Sequence, residues 1–333
     1  MIHRHRAVLV GAVVCLFVLS SLYLMFSGSL AMTPGQVMDS LFHPEAGSLG
    51  ETVIWQLRLP RLAAGLVAGF GLGCVGAVFQ TLLRNPLAEP YVMGVSSGAG
   101  VGGVLVLAGG LAGVAGGVLM SGGGIVGGAL ALVLVFGLSG WFKRPDVVRL
   151  LLSGVVVGAM LGSLVTLVLL FGGKDTNVVM RWMLGSLTPM HWQRVGVMTL
   201  FVGMAFGIGW RDSRALNAFA FSEELAGRLG VDSRRVMVRH LVLGTGAIGA
   251  MVGSVGIIGF VGLVAPHIAR SLVGPDLRRC LGLSGVVGAL VLVMADFLAQ
   301  KVLPGGELPV GAVTAVLGAP VLLVLLRRSV YRV

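Results

Sequence analysis

Charge is scarce in this sequence. Only 11% of its 333 residues are Asp, Glu, Lys or Arg, against 56% apolar side chains, and the mean hydropathy is +0.99. A soluble surface carries roughly a quarter or more charged residues, so a large soluble core is excluded as the default and a polytopic membrane protein follows. Acidic residues are scarcer still, 13 against 24 Lys and Arg, which leaves a formal net charge of +11. That excess does not indicate nucleic acid, because the basic residues stand between apolar runs, where they set orientation in a bilayer. Cys15, Cys74 and Cys280 lie in or beside apolar runs without a CxxC pair or metal-ligand spacing, and read as core fillers. The sequence also lacks GxxxxGK[ST], HExxH and GxSxG motifs and any Cys/His cluster. Nothing in it therefore supports hydrolysis, redox chemistry, a metal or cofactor site, or phosphate binding by this chain itself.

Apolar runs are what the sequence has in quantity. They fall at about 7–26, 62–83, 91–109, 118–140, 148–171, 192–210, 238–256, 258–273, 281–300 and 308–326, each near the roughly 20 residues that a bilayer crossing needs. The first follows His3-Arg4-His5-Arg6 and resembles a signal peptide, but its length favours an uncleaved helix with a cytoplasmic N-terminus. The break between the runs at 238–256 and 258–273 has almost no polar residue to mark it. The 54 glycines follow no collagen-like period and sit inside the runs. Gly65, Gly69 and Gly73 recur every four residues, one face of a helix on which a neighbouring backbone can approach closely.

Ten crossings that start inside put both termini in the cytoplasm, and the charges agree. On this topology 18 of the 24 basic residues fall inside, and Arg58, Arg61, Lys174, Arg181, Arg194 and Lys301 fall outside, as the positive-inside rule requires. The longest inside connector runs from Arg211 to Arg239. Its middle predicts a short helix with Ser222 as cap, Glu223 and Glu224 in the first turn and Gly230 at the exit. Leu225, Ala226 and Leu229 would form an apolar stripe on it, suited either to a solvated connector or to docking of a cytoplasmic partner.

Few polar residues enter the runs. Asp296 sits near the outer end of the ninth, either a functional group or a carboxylate paired with a neighbour such as Lys301 or with a helix N-terminus for packing; the pairing is favoured. His267 follows Pro266, and its expected role is to bond a backbone group that the proline frees, rather than to carry protons. Gln80 and Asn85 flank the inner end of the second run. Glu307 and Pro309 open the tenth, with Pro in the first turn and Glu near the positive end of the helix dipole.

Six motifs in order resemble one known family, the FecCD-type permeases, which are the membrane subunits of ABC importers for iron chelates, haem and cobalamin. They are Arg58-Leu59-Pro60-Arg61; Gln80 with the run Asn85 to Pro90 and the run Gly94 to Ala99; Trp182 to Ser186; Gly259 to His267 with Arg270; Ala295-Asp296; and Glu307 to Gly311 with Gly318-Ala319-Pro320. The resemblance implies an all-α, type II ABC importer permease fold of about ten transmembrane helices, one transmembrane domain over residues 1–333, with the 211–239 connector as its coupling loop. It implies a second permease subunit, in a homodimer or a pair of like subunits, and two cytoplasmic ATPase subunits that bind ATP and Mg. It also implies a periplasmic or lipid-anchored substrate-binding protein, in the cytoplasmic (inner) membrane of a prokaryote, with no cofactor in this chain. Ser222 to Ala226, Leu229 and Gly230 would then seat in the ATPase. Arg58, Arg61 and Lys301 would contact the binding protein, Gln300 standing where the family has a third arginine. Asn85, Pro86 and Leu87, with Gln80, would lie at the cytoplasmic gate.

The competing expectation is an ion-coupled secondary transporter with Asp296 and His267 as coupling groups. A membrane-embedded enzyme would need clustered catalytic groups at one bilayer depth, and the sequence has none.

Overall fold

The computed structural model describes residues 32–43, 47–141, 146–171, 176–303 and 306–330. The expected first span, the basic residues around it, Lys143, Arg144, Lys174 and the last three residues lie outside the described residues. Every regular element among the described residues is helical.

A short helix α1 (Pro34–Phe42) carries a capping box, Thr33 bonding the Gln36 N–H and Gln36 bonding back. The long α2 (Leu49–Leu82) follows, its first third wound as a π-helix over Thr52–Arg58. The Trp192 indole donates to the Trp55 carbonyl at 2.8 Å within that wider turn. Then come α3 (Val95–Ala108), α4 (Val118–Ser139), α5 (Val147–Phe171), the short α6 (Thr176–Met183) and α7 (Trp192–Arg211). Two surface helices, α8 (Ser213–Phe221) and α9 (Glu223–Arg228), lead to α10 (Ser233–Val255), α11 (Val261–Val273), α12 (Leu277–Lys301) and α13 (Val310–Val330). The nine expected runs from 62 onward thus each become a helix. Five helices, α2, α4, α5, α10 and α12, are long and apolar enough to cross a membrane, and α3, α11 and the 310–321 part of α13 are shorter apolar helices.

Burial ranks the helices. The apolar windows of α2 and α10 are 72% buried, whereas that of α5 is 17% buried, so α2 and α10 form the centre and α5 the periphery. What brings α2 against its antiparallel neighbour α12 is the glycine face. A methyl on Gly69 would stand 2.5 Å from the Gly288 carbonyl oxygen, and one on Gly73 only 2.1 Å from that of Ser284. Both approaches are backbone to backbone, the contact that small residues permit between helices in lipid. Gly65, by contrast, meets the side chains of Leu187 and Val293. Cys74 and Cys280 are buried free thiols in this packing.

The unmarked break after α10 is real but longer than the sequence suggests. Residues 256–260 leave the helix, with Gly256 at φ +75° and Phe260 in the left-handed region. The 13-residue α11 then spans only about 20 Å, too short to cross the hydrocarbon core alone. Irregular backbone at bilayer depth must be satisfied by protein. Here the Tyr91 hydroxyl accepts from the Ile258 N–H at 3.0 Å and donates to the Ile258 carbonyl, and Glu89 accepts the Phe260 N–H. Two further links tie the break to its surroundings: Ser186 N–H to the Val255 carbonyl at 2.8 Å and Val310 N–H to the Gly185 carbonyl at 2.9 Å.

Antiparallel packing places the ends of the elements. The C-termini of α2, α4, α7 and α11 share one end with α8, α9 and the N-termini of α10 and α12; it carries Arg84, Arg211, Arg239, Arg270 and Arg279 and is here named the Arg270 end. The opposite, Arg61 end carries Arg58, Arg61, Arg181, Arg194 and Lys301.

Candidate functional site

Three places in the bundle gather the residues singled out above. At the Arg61 end, the Arg61 guanidinium lies against Asp296, with Nη2 to Oδ1 at 2.8 Å and Nε to Oδ2 at 3.0 Å, and its Nη1 reaches Glu307 at 2.9 Å. The Gln300 amide donates to Asp296 Oδ2 at 2.9 Å, one helical turn along α12. Asp296 is 2% exposed, so its oxygens are met by these neighbours rather than by water. The expectation that Asp296 pairs for packing is met, but the partner is Arg61 rather than Lys301 or a helix N-terminus. The reason is geometric: α2 and α12 touch along their glycine faces, which carries Arg61 to the level of Asp296. Arg61 is consequently occupied by two carboxylates, whereas Arg58, on the π-helical turn, is partly exposed. Glu307 lies before α13, which begins at Val310, so Pro309 is the residue preceding the helix rather than part of its first turn.

The same end holds a cleft of about 730 Å³, bounded by α6, the 186–191 segment, the first turn of α7 and residues 307–310, with Arg61, Arg181, Arg194, His191 and Glu307 in its wall. Sequence reasoning counted Arg194 only as an outside charge. Its third position in a helix, where the dipole disfavours a cation, was the available signal.

At the other end, Gln80 is buried and bonded on both sides. Its oxygen accepts from Arg270 Nη1 at 2.7 Å, and its nitrogen lies 3.4 Å from the carbonyls of both Gly262 and Leu263. Gly262 is the residue whose carbonyl loses its helical donor because Pro266 has no N–H. The group freed by the proline is therefore met by Gln80. The His267 side chain, expected to do this, makes no hydrogen bond among the described residues. Past Gln80 the chain turns: Asn85 Oδ1 accepts the Leu87 N–H at 2.9 Å, Pro86 and Leu87 are exposed, and Ala88 is buried. Glu89 and Tyr91, which hold the 256–260 break, directly follow this turn; the sequence marked Glu89 only as part of a motif and residue 91 only as the start of an apolar run.

Also at the Arg270 end, α9 stands on the surface. Ser222 Oγ accepts the Leu225 N–H at 2.9 Å, Glu223 opens the helix, Glu224 pairs with Arg228 at 2.7 Å, and Gly230 leaves at φ +77°. Leu225 and Leu229 are 41% and 66% exposed, but Ala226 is fully buried. The expected three-residue stripe is thus two leucines wide, since a six-residue helix must turn one face into the bundle to be held at all.

Among the described residues, no group of three or more His, Cys, Asp or Glu side chains comes together that could hold a metal. Asp296 and His267 are also far apart. His267 neighbours Pro266, whose carbonyl faces Cys280 at the start of α12, and sixteen residues of α12 separate Cys280 from Asp296, about 24 Å.

These features define a class: a multi-pass membrane protein, all-helical among the described residues, with a break between two helices and a polar cleft at one end. The model of the FecCD transport family matches residues 14–328, and the chain belongs to that family. It is 32% identical over 324 residues to the iron-uptake system permease protein FeuC of Bacillus subtilis, covering 94% of this chain and 95% of that protein. It is 36% identical over 319 residues to the vitamin B12 import system permease protein BtuC of Salmonella arizonae, covering 94% and 92%. A solved structure presented as an inward-facing conformation of a metal-chelate type ABC transporter superposes with a TM-score of 0.81 at 27% identity, over 96% of this chain and 99% of that one. The fold is that of type II ABC importer permeases, and the chain is a transport subunit rather than a catalytic one.

Proposed function

We propose that this chain is the membrane-spanning subunit of an ATP-driven importer that moves a metal chelate or cobalamin across the cytoplasmic membrane by alternating access. The observation that carries the reading is the likeness in both sequence and fold, over nearly the whole chain, to a metal-chelate type transporter. The Arg61 end faces outward and the more basic Arg270 end faces the cytoplasm, in keeping with the positive-inside rule. Both termini are then cytoplasmic. The exposed leucines of α9 dock a cytoplasmic ATPase, which binds ATP and Mg, and Arg58 receives a carboxylate of a binding protein outside. The exposed apolar side of α5, with Leu152, Val155, Val156 and Leu164, forms a subunit interface in a homodimer, and two ATPase subunits serve the pair. The turn at Asn85, Pro86 and Leu87 closes the path on the cytoplasmic side. It is coupled to the mid-bilayer break through Glu89 and Tyr91, so that movement of one bends the other.

Ion coupling through Asp296 and His267 is not favoured by this geometry, because Asp296 is held by Arg61 and the two groups stand at opposite ends of α12. The deciding experiment is uptake by proteoliposomes. Chain plus ATPase and binding protein is expected to accumulate chelate only with ATP inside the compartment corresponding to the cytoplasm. Uphill uptake by the chain alone under a proton or sodium gradient would overturn the reading.

A further inference from the structure

The cleft at the Arg61 end contains more positive charge than its own residues neutralise. Arg61 is matched by Asp296 and Glu307. Arg181 and Arg194 are matched by nothing: among the described residues no carboxylate lies within ion-pair distance of either. Arg194 is the more telling of the two. It is 7% exposed, its Nη1 and Nη2 reach only the Ser254 and Ala112 carbonyls, both at 3.4 Å, and its Nε has no partner. It also occupies the first turn of α7, where the exposed N–H groups of the helix already present positive charge. A guanidinium withdrawn from water, held by two long bonds to neutral oxygens and set against a helix dipole, is an incomplete ion pair.

Three properties of the wall say what completes it. Arg181, on the neighbouring α6, is exposed and lines the same cleft, a second guanidinium in its wall. Trp182 lines the cleft with an indole N–H that has no partner and an aromatic face. The volume, about 730 Å³, suits a molecule of several hundred daltons rather than a bare ion. We propose that Arg194 and Arg181 form an oxyanion subsite of this cleft, and that the cargo is an anionic chelate whose carboxylate or related oxygen donors are gripped there on entry. This rests on the importer reading and narrows it, because a cargo with no anionic oxygen, such as a neutral corrinoid, leaves Arg194 unpaired. Burial of Arg194 in the wall assigns the subsite to cargo rather than to an acidic side chain of a docking protein, which would meet the exposed rim.

The test uses the full chain, assembled with its ATPase in lipid nanodiscs, and titrates citrate as a tricarboxylate probe with trimethyl citrate as the uncharged control. Calorimetry and tryptophan fluorescence are read together. The wild type is expected to bind citrate and not the ester, with affinity that falls as ionic strength rises. Arg194→Gln is expected to weaken citrate about tenfold or more, as loss of a charge-assisted contact does, and Arg181→Gln by a smaller factor. Citrate affinity unchanged in a folded Arg194→Gln protein, or equal binding of the ester, overturns the proposal. If Arg194→Gln does not fold, the Arg181→Gln variant and the salt titration of the wild type decide, and salt-insensitive, variant-insensitive binding overturns it. A third arm adds the unloaded binding protein: competitive displacement of citrate would assign the arginines to that protein's acidic groups and overturn the cargo assignment. Failure of the importer reading shows separately, as uptake without ATP by wild-type proteoliposomes.

Discussion

Arg61 and Asp296, 235 positions apart in the chain, meet through two nitrogens and two oxygens of the guanidinium and carboxylate, almost out of contact with water. The pair fastens α2 to α12 at one end of a seam that the glycine faces close along its length. Removing one partner strands a buried charge, so Asp296→Leu or Arg61→Leu should lower stability by about 3–5 kcal/mol. The double replacement should be less damaging than either single one. Thermal unfolding of the detergent-solubilised proteins measures this, and strict additivity of the two single effects would refute the pairing.

Arg58 and Arg61 should behave differently although they share one motif. Arg58→Glu should lower the unfolding temperature less than Arg61→Glu does and weaken binding-protein association, most at low salt. Arg61→Glu should instead damage the fold, because it places three carboxylates together. Association assays and unfolding curves on the same two variants separate the effects.

Gln80 should be coupled energetically to Pro266. Gln80→Leu leaves the Gly262 carbonyl and Arg270 without their partner, a loss of about 1–3 kcal/mol. Pro266→Ala restores an N–H to that carbonyl and should recover part of it. A double-mutant cycle on unfolding free energy reads the coupling directly, and a value of zero would show that Gln80 does not serve the carbonyl.

Glycine positions should divide sharply. Gly73→Ala puts a methyl 2.1 Å from a backbone oxygen that cannot move without displacing α12, whereas around Gly162, Gly196 and Gly203 nothing lies within 4 Å. The first should lower yield and thermal stability by several degrees, by an overpacking cost of about 1–3 kcal/mol, and alanine at the other three should be tolerated. Size-exclusion profiles and unfolding midpoints compare them.

On α9, Leu225→Ser with Leu229→Ser should abolish co-purification of the ATPase while leaving the unfolding midpoint within a degree or two, since both leucines are exposed. Ala226→Ser should act oppositely, disturbing the seat of the helix because that side chain is buried. Retained ATPase in the double variant would remove α9 as the docking element.

The sequence by itself determined the membrane environment, the position of nearly every helix and the glycine face, because these depend on composition and period within one segment. It also carried the caps of α9, Ser222 and Gly230, since capping is satisfied within a few residues. It marked Asp296, Glu307 and Gln80 as polar groups, but it offered Lys301 or a helix N-terminus as partners for Asp296 and gave the backbone group freed by Pro266 to His267. Those choices, like the extended passage at 256–260 held by Glu89 and Tyr91 and the unmatched guanidinium of Arg194, belong to the tertiary structure. A buried charge or a freed carbonyl is satisfied by whichever group reaches it, and in a bundle of antiparallel helices that group stands on another helix, as many as 235 residues away, at a level that only the packing of the helices sets.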